Sequence, residues 1–441
     1  MYFDRKVYLD QLIRKKHNSL VKVITGARRS GKSYLMNNIF YKSLLNEGIK
    51  EKNIIRFSFD NDEHIDLLDD FFPEEKTKII VGKDNYIINS KKFRAYIKSV
   101  TNDNEYFYLL LDEIQMLDSF VGTLNGFLSH SNFDIYVTGS NSQLLSSEIE
   151  TKFRGRKSSI HLLPLSFSEF VTGANLSPES AWRKYIVTGG IPIIYQQDEE
   201  DREKYLLDLC YETYLKDIIG RKNIKDADNL SDLLGVLASC IGSGVSPSNL
   251  EKTFKLNKNI IMCDDTISNY INHFQDAFVI SIAKKYNIKG KAYINTPYKV
   301  YFEDIGVRNA KTNFSQIEES HIMENIIYNE LRYRGFNVSV GEIDVNEMTD
   351  RIDVNGKHIY KKKSLEVDFI ATKDSQKIYV QSCLNINDEN TLNREKRSLY
   401  YIDDSFKKII VTKNGLDPYY DSNGFLIVDI FDFLLNPKFL L

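Results

Sequence analysis

A chain of 441 residues is too long for one ordinary domain and predicts two to four. A net charge of −3 and a pI near 6.2 exclude a wholesale polyanion binder and leave room only for a local basic patch. Four cysteines, Cys210, Cys240, Cys263 and Cys383, have no metal-ligand or redox spacing and predict buried, reduced thiols.

The N-terminal stretch MYFDRKVYLDQLIRKKHNS mixes charged and apolar residues and lacks the apolar core of a secretion signal. No apolar run approaches the roughly 20 residues that span a bilayer. A cytoplasmic chain with no membrane contact is the expectation. Only 8 prolines argue against long disordered linkers.

LVKVIT (Leu20–Thr25) predicts a strand, and SYLMNNIFYKSLL predicts a helix with Leu35, Ile39 and Leu44 near one face. Between them lies GARRSGKS, a glycine-rich loop in the strand-to-helix context that defines a P-loop. Gly26 and Gly31 let successive N–H groups face one centre, and the helix start adds favourable dipole for an anion. The nucleotide-binding set is then Gly26, Ala27, Arg28, Arg29, Ser30, Gly31, Lys32, Ser33 and Tyr34. Lys32 is placed to reach β- and γ-phosphates, and Ser33 to ligate Mg²⁺.

Residues 82–104 read as polar and irregular. EYFYLLLDEIQ follows, with five apolar or aromatic residues from Phe107 to Leu111, which suits a strand buried on both faces. It ends in Asp112 and Glu113, where ligands sit in open α/β sheets. Asp112 is the expected second Mg²⁺ residue and Glu113 the expected general base. FDIYVTGSN predicts another strand ending at Ser140 and Asn141, either a γ-phosphate sensor or a plain turn. In TKFRGRKSSIHLL, Arg154 and Arg156 flank Gly155 before a strand. Either is a candidate finger on a phosphate, its own or a neighbour's, or part of a surface basic patch.

Beyond Pro164 the pattern turns helical. SAWRKYIVTGGIP and DREKYLLDLCYETYLKDIIGR predict amphipathic helices broken at Gly189-Gly190. LSDLLGVLASCIG, SPSNLEKTFKL (Ser246-Pro247 as its cap) and DDTISNYINHFQDAF predict three more, followed by strands around a Gly-Lys turn. That order fits a winged helix. Its presumed recognition helix carries Asp264, Asp265 and Asp276 with no lysine or arginine, which counts against groove reading. Lys284, Lys285, Lys289 and Lys291 in the wing are better placed for phosphates. The last segment predicts α/β structure: a helix with Ile322, Ile326, Tyr328 and Leu331 inward and Gly335 as its stop, then strands. In NREKRSLYYIDDSFKK a solvated helix is expected, with Leu399, Tyr400 and Ile402 turned inward.

The phrases GARRSGKS, LLLDEIQ, VTGSNSQLL, FRGRKSSIHLLPLSFSEF, GGIP, YLKDIIGR, YFEDIGVR and EVDFIA together resemble the AAA-type ATPases of bacteria and archaea that carry a C-terminal domain of unknown function. The resemblance implies ATP binding, a five-stranded AAA-like parallel sheet, and Arg156 at the family's Gly-Arg step. It also supports the winged helix. The C-terminal arrangement resembles the PD-(D/E)XK nuclease fold, with Glu324 on a helix and Asp368 on a strand. Where that fold has an acid and a lysine, this chain has Gln381 and Cys383, which predicts a degenerate, inactive site.

The expected organisation is an α/β P-loop ATPase domain over 1–165, a helical connector over 166–225, a winged-helix-like module over 226–310 and a nuclease-like domain over 311–441. The expected activity is Mg²⁺-dependent ATP hydrolysis that moves the C-terminal modules. Glu113, Lys32 and Arg156 are its catalytic candidates, Ser33 and Asp112 its metal residues, and Asn141 an added nucleotide contact. The alternative is a nucleic-acid-binding switch in which ATP regulates. The C-terminal half has DNA or a protein as candidate partner, and the sequence leaves the oligomeric state open.

Overall fold

The computed structural model describes residues 1–81, 85–139, 151–153, 155–222, 224–258, 262–352, 358–386 and 389–440. The chain forms two compact units. One is Tyr2–Pro164 with Asp276–Phe278; the other is Leu165–Gln275 and Val279–Leu441 with Met1.

In the first unit the strands are β1 (Val21–Thr25), β2 (Ile54–Ser58), β3 (Lys78–Val81), β4 (Asn85–Ile88), β5 (Phe107–Asp112), β6 (Phe133–Gly139) and β7 (Lys157–His161). Five of them form an all-parallel sheet in the order β2-β5-β6-β1-β7. All six residues of β5 and all five of β1 are buried, as a sheet covered on both faces requires. Leu109 and Leu111 face a core with Phe57, Phe93, Ile97, Leu124 and Phe127. On the other face the helix after β1 packs Phe40 against Tyr136, ring centroids 4.5 Å apart. That helix is continuous across Lys32–Tyr34, a π-turned stretch Leu35–Phe40, and Tyr41–Asn46. Each fully buried leucine contributes about 2 kcal/mol through the hydrophobic effect.

The stretch read as irregular is ordered where it is described. β3 and β4 form an antiparallel hairpin, and Ser90–Val100 is a helix. The Asn89 side chain caps it, accepting from the Lys91 N–H at 2.9 Å and the Lys92 N–H at 3.4 Å. Its apolar stripe is thin, carried by Phe93 and Ile97 one turn apart among lysine, arginine and serine, which is why it passed for loop.

The second unit opens with helices Phe167–Ala174, Pro178–Thr188 and Arg202–Lys222, the last π-turned over Leu209–Leu215. Ala227–Ser239, Pro247–Lys258 and Asp264–Asp276 follow as the sequence reads them. Its strands are β8 (Gly244–Val245), β9 (Ile280–Asn287), β10 (Ala292–Phe302), β11 (Asn337–Ile352), β12 (His358–Lys373), β13 (Gln376–Cys383), β14 (Lys407–Thr412), β15 (Tyr419–Tyr420) and β16 (Leu426–Asp429). Among the described residues they form one sheet, β15-β16-β14-β13-β12-β11-β9-β10-β8. The parallel β9–β11 pairing, Val340 opposite Lys285, carries this sheet across residue 310.

Helix Ile305–Lys311 ties the unit together. Asp304 caps it through the Val307 N–H (3.0 Å) and also accepts the Gly190 N–H at 2.7 Å. Asn309 caps the end of the Pro178–Thr188 helix through the carbonyls of Ile186 and Val187.

Two expectations are corrected. Tyr400 is 45% exposed, while Leu399 and Ile402 are buried: Tyr400 is one step around the helix from Leu399 and falls on the solvent face. All four cysteines are free, but Cys263 is exposed beside the start of the Asp264–Asp276 helix and Cys240 is half-buried.

Candidate functional site

The loop from Gly26 to Ser33 leaves the C-terminal end of β1 at the point where the strand order reverses, with β6 on one side and β7 on the other. Three residues take positive φ: Gly26 (147°), Arg29 (64°) and Gly31 (96°). A Cβ on Gly26 would collide with the Leu162 carbonyl, so only glycine fits. Lys32 is 5% exposed, and its ammonium donates to the Gly26 carbonyl at 3.0 Å and the Ala27 carbonyl at 2.8 Å. The loop therefore wraps its own lysine. Ser30 is fully buried, and among the described residues its hydroxyl has no hydrogen-bond partner. Arg28, Ser33 and Tyr34 are exposed, and Ala27 is buried.

Across from the loop, Asp112 ends β5. It accepts from the Thr138 hydroxyl of β6, from Ser33, and from Asn37 Nδ2 at 3.4 Å. Burial raises the Asp112 pKa, opposed by the hydrogen bonds from Thr138 and Ser33. Glu113 has φ of 50°, and its N–H donates to Thr138 Oγ1 at 3.1 Å. Gln115 Nε2 donates to Glu113 Oε2. The carboxylate pair is thus pinned by a threonine from the strand between β5 and β1. Thr138 lay within the quoted VTGSN, but only the β5–β6 register shows that its hydroxyl meets Asp112.

The loop fits a triphosphate. A glycine cradle, a buried ammonium able to change partners, and an orphan Ser30 hydroxyl surround one centre. Ser33 and Asp112 together supply the oxygen donors a hard cation takes. Among the described residues no group of three or more histidine, cysteine, aspartate or glutamate side chains is placed to hold a metal. A hydroxyl and one carboxylate, completed by phosphate oxygens, need no such group.

The other candidates fall elsewhere. Arg156 is exposed at the N-terminal end of β7, where its carbonyl accepts the Val21 N–H at 2.9 Å. Val21 begins β1, and the loop lies beyond its other end, about 16 Å along a five-residue strand. That is further than one arginine side chain spans, so Arg156 does not reach the Gly26–Ser33 loop of its own chain. Ser140, Asn141 and Arg154 lie outside the described residues.

The second unit holds another constellation. Lys299 on β10 is 3% exposed and meets Glu324 Oε1 at 2.9 Å, Glu366 Oε1 at 2.8 Å and Asp368 Oδ1 at 3.4 Å. Tyr301 OH donates to Glu324 at 2.6 Å, and the Ser382 N–H donates to Asp368 Oδ2 at 2.9 Å. Burial works to lower the Lys299 pKa, but the charges of Asp368, Glu324 and Glu366 outweigh it and raise it. Burial raises Asp368, with the Glu324 charge adding to it. Glu324 and Asp368 do come together, as the nuclease resemblance implies. The cation among them comes from Lys299, which the sequence reading did not single out. Gln381 accepts the Asp368 N–H at 3.3 Å, and burial pushes the Cys383 thiol up to about 11.

The sheet order, the loop and the acidic strand end define a class: a P-loop NTPase fold of the AAA type. A family model for an AAA domain matches residues 18–171, and one for a domain of unknown function, DUF8612, matches 179–318. The chain belongs to the same family as an uncharacterized protein of Haemophilus influenzae, 31% identical over 441 residues and covering 98% of both chains. The uncharacterized protein MJ1544 of Methanocaldococcus jannaschii is 28% identical over 390 residues, 84% of this chain and 76% of that one. Among solved structures, Cdc6p from Pyrobaculum aerophilum superposes with a TM-score of 0.30 at 13% identity, covering 74% of this chain and 94% of that one. The Aeropyrum pernix ORC1 protein in complex with DNA gives 0.29 at 12%, covering 71% and 93%. Scores of this size add nothing to the AAA domain already matched. No described helix is long and apolar enough to cross a membrane.

Proposed function

We propose that this chain binds ATP with Mg²⁺ in the Gly26–Ser33 loop and hydrolyses it. The observation that carries this reading is the hydrogen-bonded run from Ser33 through Asp112 to Thr138 and the Glu113 N–H, set opposite a loop that already holds the Lys32 ammonium. In this reading Lys32 exchanges the Gly26 and Ala27 carbonyls for phosphate oxygens, while the loop N–H groups and the helix start hold the rest of the anion. Ser33 and Asp112 would hold the Mg²⁺, whose chemistry is to neutralise charge developing on the phosphate oxygens. Glu113 takes the proton of the attacking water on its side-chain carboxylate. Arg156 serves a neighbouring subunit, which makes turnover depend on assembly. Hydrolysis then drives movement of the C-terminal modules, read as a winged-helix-like segment and a degenerate nuclease fold. In that fold the Lys299 ammonium occupies the space among the three carboxylates. Glu113→Gln is expected to keep ATP binding and to lose turnover by at least a hundredfold, read as phosphate release; unchanged turnover would remove Glu113 from the mechanism.

A second reading, a nucleic-acid-binding switch regulated by ATP, has one supporting observation. Lys284, Lys289, Lys291 and Tyr293 are all exposed on β9, β10 and their turn. A gel shift that weakens as salt rises, and weakens further in Lys289→Ala, would support it. Absence of any shift at low salt, with and without ATP, would end it.

A further inference from the structure

A short piece of the later chain belongs to the unit that carries the phosphate loop. Asp276–Phe278 forms one compact unit with Tyr2–Pro164, while Gln275 before it and Val279 after it belong to the other unit. The piece joins the end of the Asp264–Asp276 helix to β9, which begins at Ile280. Its turn is closed by the Val279 N–H, which donates to the Phe274 carbonyl at 3.0 Å. Phe278 takes φ of 55°. A bulky side chain rarely adopts that left-handed backbone, and such strain persists only where surrounding contacts fix it. Here the fixing contact is aromatic. Phe278 is 7% exposed, and its ring centroid lies 4.8 Å from that of His161.

His161 stands beside the start of the phosphate loop. It ends β7 directly opposite Thr25, which ends β1. Thr25 Oγ1 and His161 Nδ1 are 3.4 Å apart. The residues that follow are as close. The Leu162 N–H donates to the Thr25 carbonyl at 2.7 Å, and the Leu162 carbonyl sits where a Cβ on Gly26 would be. Gly26 in turn offers its carbonyl to the Lys32 ammonium at 3.0 Å. A run of direct contacts and chain bonds therefore leads from Phe278 through His161, Thr25 and Gly26 to Lys32, all inside one compact unit.

We infer that the Phe278 turn is a regulatory latch on the phosphate loop: docked on His161 it holds the loop in the form that takes nucleotide, and bound nucleotide holds the turn docked. The latch presupposes that the loop takes ATP, as proposed above, and links that site to the second unit. Lys32 must release the Gly26 and Ala27 carbonyls when it turns to a phosphate. The loop then keeps its shape only if Thr25 and Leu162 stay fixed, and the Phe278 ring behind His161 fixes them. A loop already held in its binding form loses less freedom on binding. The linkage is reciprocal, so nucleotide stabilises the docked turn by the same factor. Undocked, Phe278 has no contact to offset its positive φ, and the turn relaxes. Nucleotide thus selects between a docked, strained turn and a free, relaxed one. Both ends of the turn continue into the second unit, as the Asp264–Asp276 helix and β9, so those two elements feel which state is populated.

Hydrogen–deuterium exchange of the full wild-type chain tests the latch without any variant. Mg-ATP is added to saturation, with its binding checked by calorimetry on the same sample. Exchange across residues 276–279 is expected to slow at least threefold, and to stay unchanged in Lys32→Ala. Phe278→Ala and His161→Ala are each expected to weaken Mg-ATP binding at least fivefold. The double variant is expected to lose no more than about twofold beyond the weaker single, because both changes break one contact. The wild-type exchange result stands even where a variant fails to fold. Binding of Mg-ATP to wild type without protection at 276–279, or unchanged affinity in folded Phe278→Ala, would overturn the latch and leave the ATP site in place. No binding to wild type, or equal protection in Lys32→Ala, would overturn both.

Discussion

Thr138 does two jobs with one hydroxyl, donating to the Asp112 carboxylate and accepting the Glu113 N–H. Burial already raises Asp112, and the hydrogen bond from Thr138 holds it down. Thr138→Val removes that restraint, so the Asp112 pKa rises further and the metal-holding, deprotonated form is lost at higher pH. The acid limb of the ATPase pH profile is expected to move up by about one pH unit; an unmoved limb would detach Thr138 from Asp112. Asp304 gives a stability effect of the opposite pH sense to a salt-bridged aspartate. Burial raises it to about 6, against backbone N–H donors from Gly190, Val307, Gly306 and Ile191. A folded-state pKa above the unfolded one means the native state holds the extra proton. Asp304 therefore stabilises most below pH 4, and that contribution fades as pH climbs to 6, by about 3 kcal/mol at most. The difference in denaturation free energy between wild type and Asp304→Asn is expected to change across pH 4–6 and to be flat above it. A pH-independent difference would show that Asp304 keeps its ordinary pKa.

At the scale of elements, two glycines with positive φ separate conformational from steric demand. Gly26 has φ of 147° and a Cβ there meets the Leu162 carbonyl; Gly155 has φ of 75° and a Cβ there meets nothing within 4 Å. Gly155→Ala is expected to cost about 1 kcal/mol from backbone strain alone. Gly26→Ala adds the collision and is expected to cost on the order of 3 kcal/mol, in thermal or chemical denaturation, and to remove nucleotide binding. Equal costs would mean the loop relaxes around the new methyl. The elements of the site were legible because their signals are local. β5 announces itself as an unbroken apolar run, and GARRSGKS sits where a strand ends and a helix begins. The Ser90–Val100 helix was not, because Phe93 and Ile97 are too few to set a period and its cap, Asn89, stands in a polar stretch. Tyr400 failed for the reverse reason: an apolar body is a poor guide to facing when its neighbours on both sides are apolar too.

On the scale of the whole molecule, what sequence reasoning missed is long-range pairing. Nothing local says that β9 will run parallel to β11 across some 55 intervening positions, or that Lys299 will reach Glu324, Glu366 and Asp368 from a separate strand. The position of Arg156 is of the same kind. Only the parallel register of β7 on β1 shows that it sits at the opposite end of the strand from the phosphate loop. This geometry predicts complementation between subunits. Arg156→Ala and Glu113→Gln chains are each expected to be inactive alone. Mixed, they form some interfaces that join an intact Arg156 to an intact Glu113, so a fraction of ATPase activity returns. No recovery at any mixing ratio, with activity independent of protein concentration, would remove the finger from Arg156.

All of this rests on the Gly26–Ser33 loop being a triphosphate site, and calorimetric titration of Mg-ATP into the full chain tests it most directly. Wild type is expected to bind one equivalent, and Lys32→Ala, shown by circular dichroism to be folded, to lose at least a hundredfold in affinity. Equal affinity in the two proteins, or no heat in either, would contradict the account.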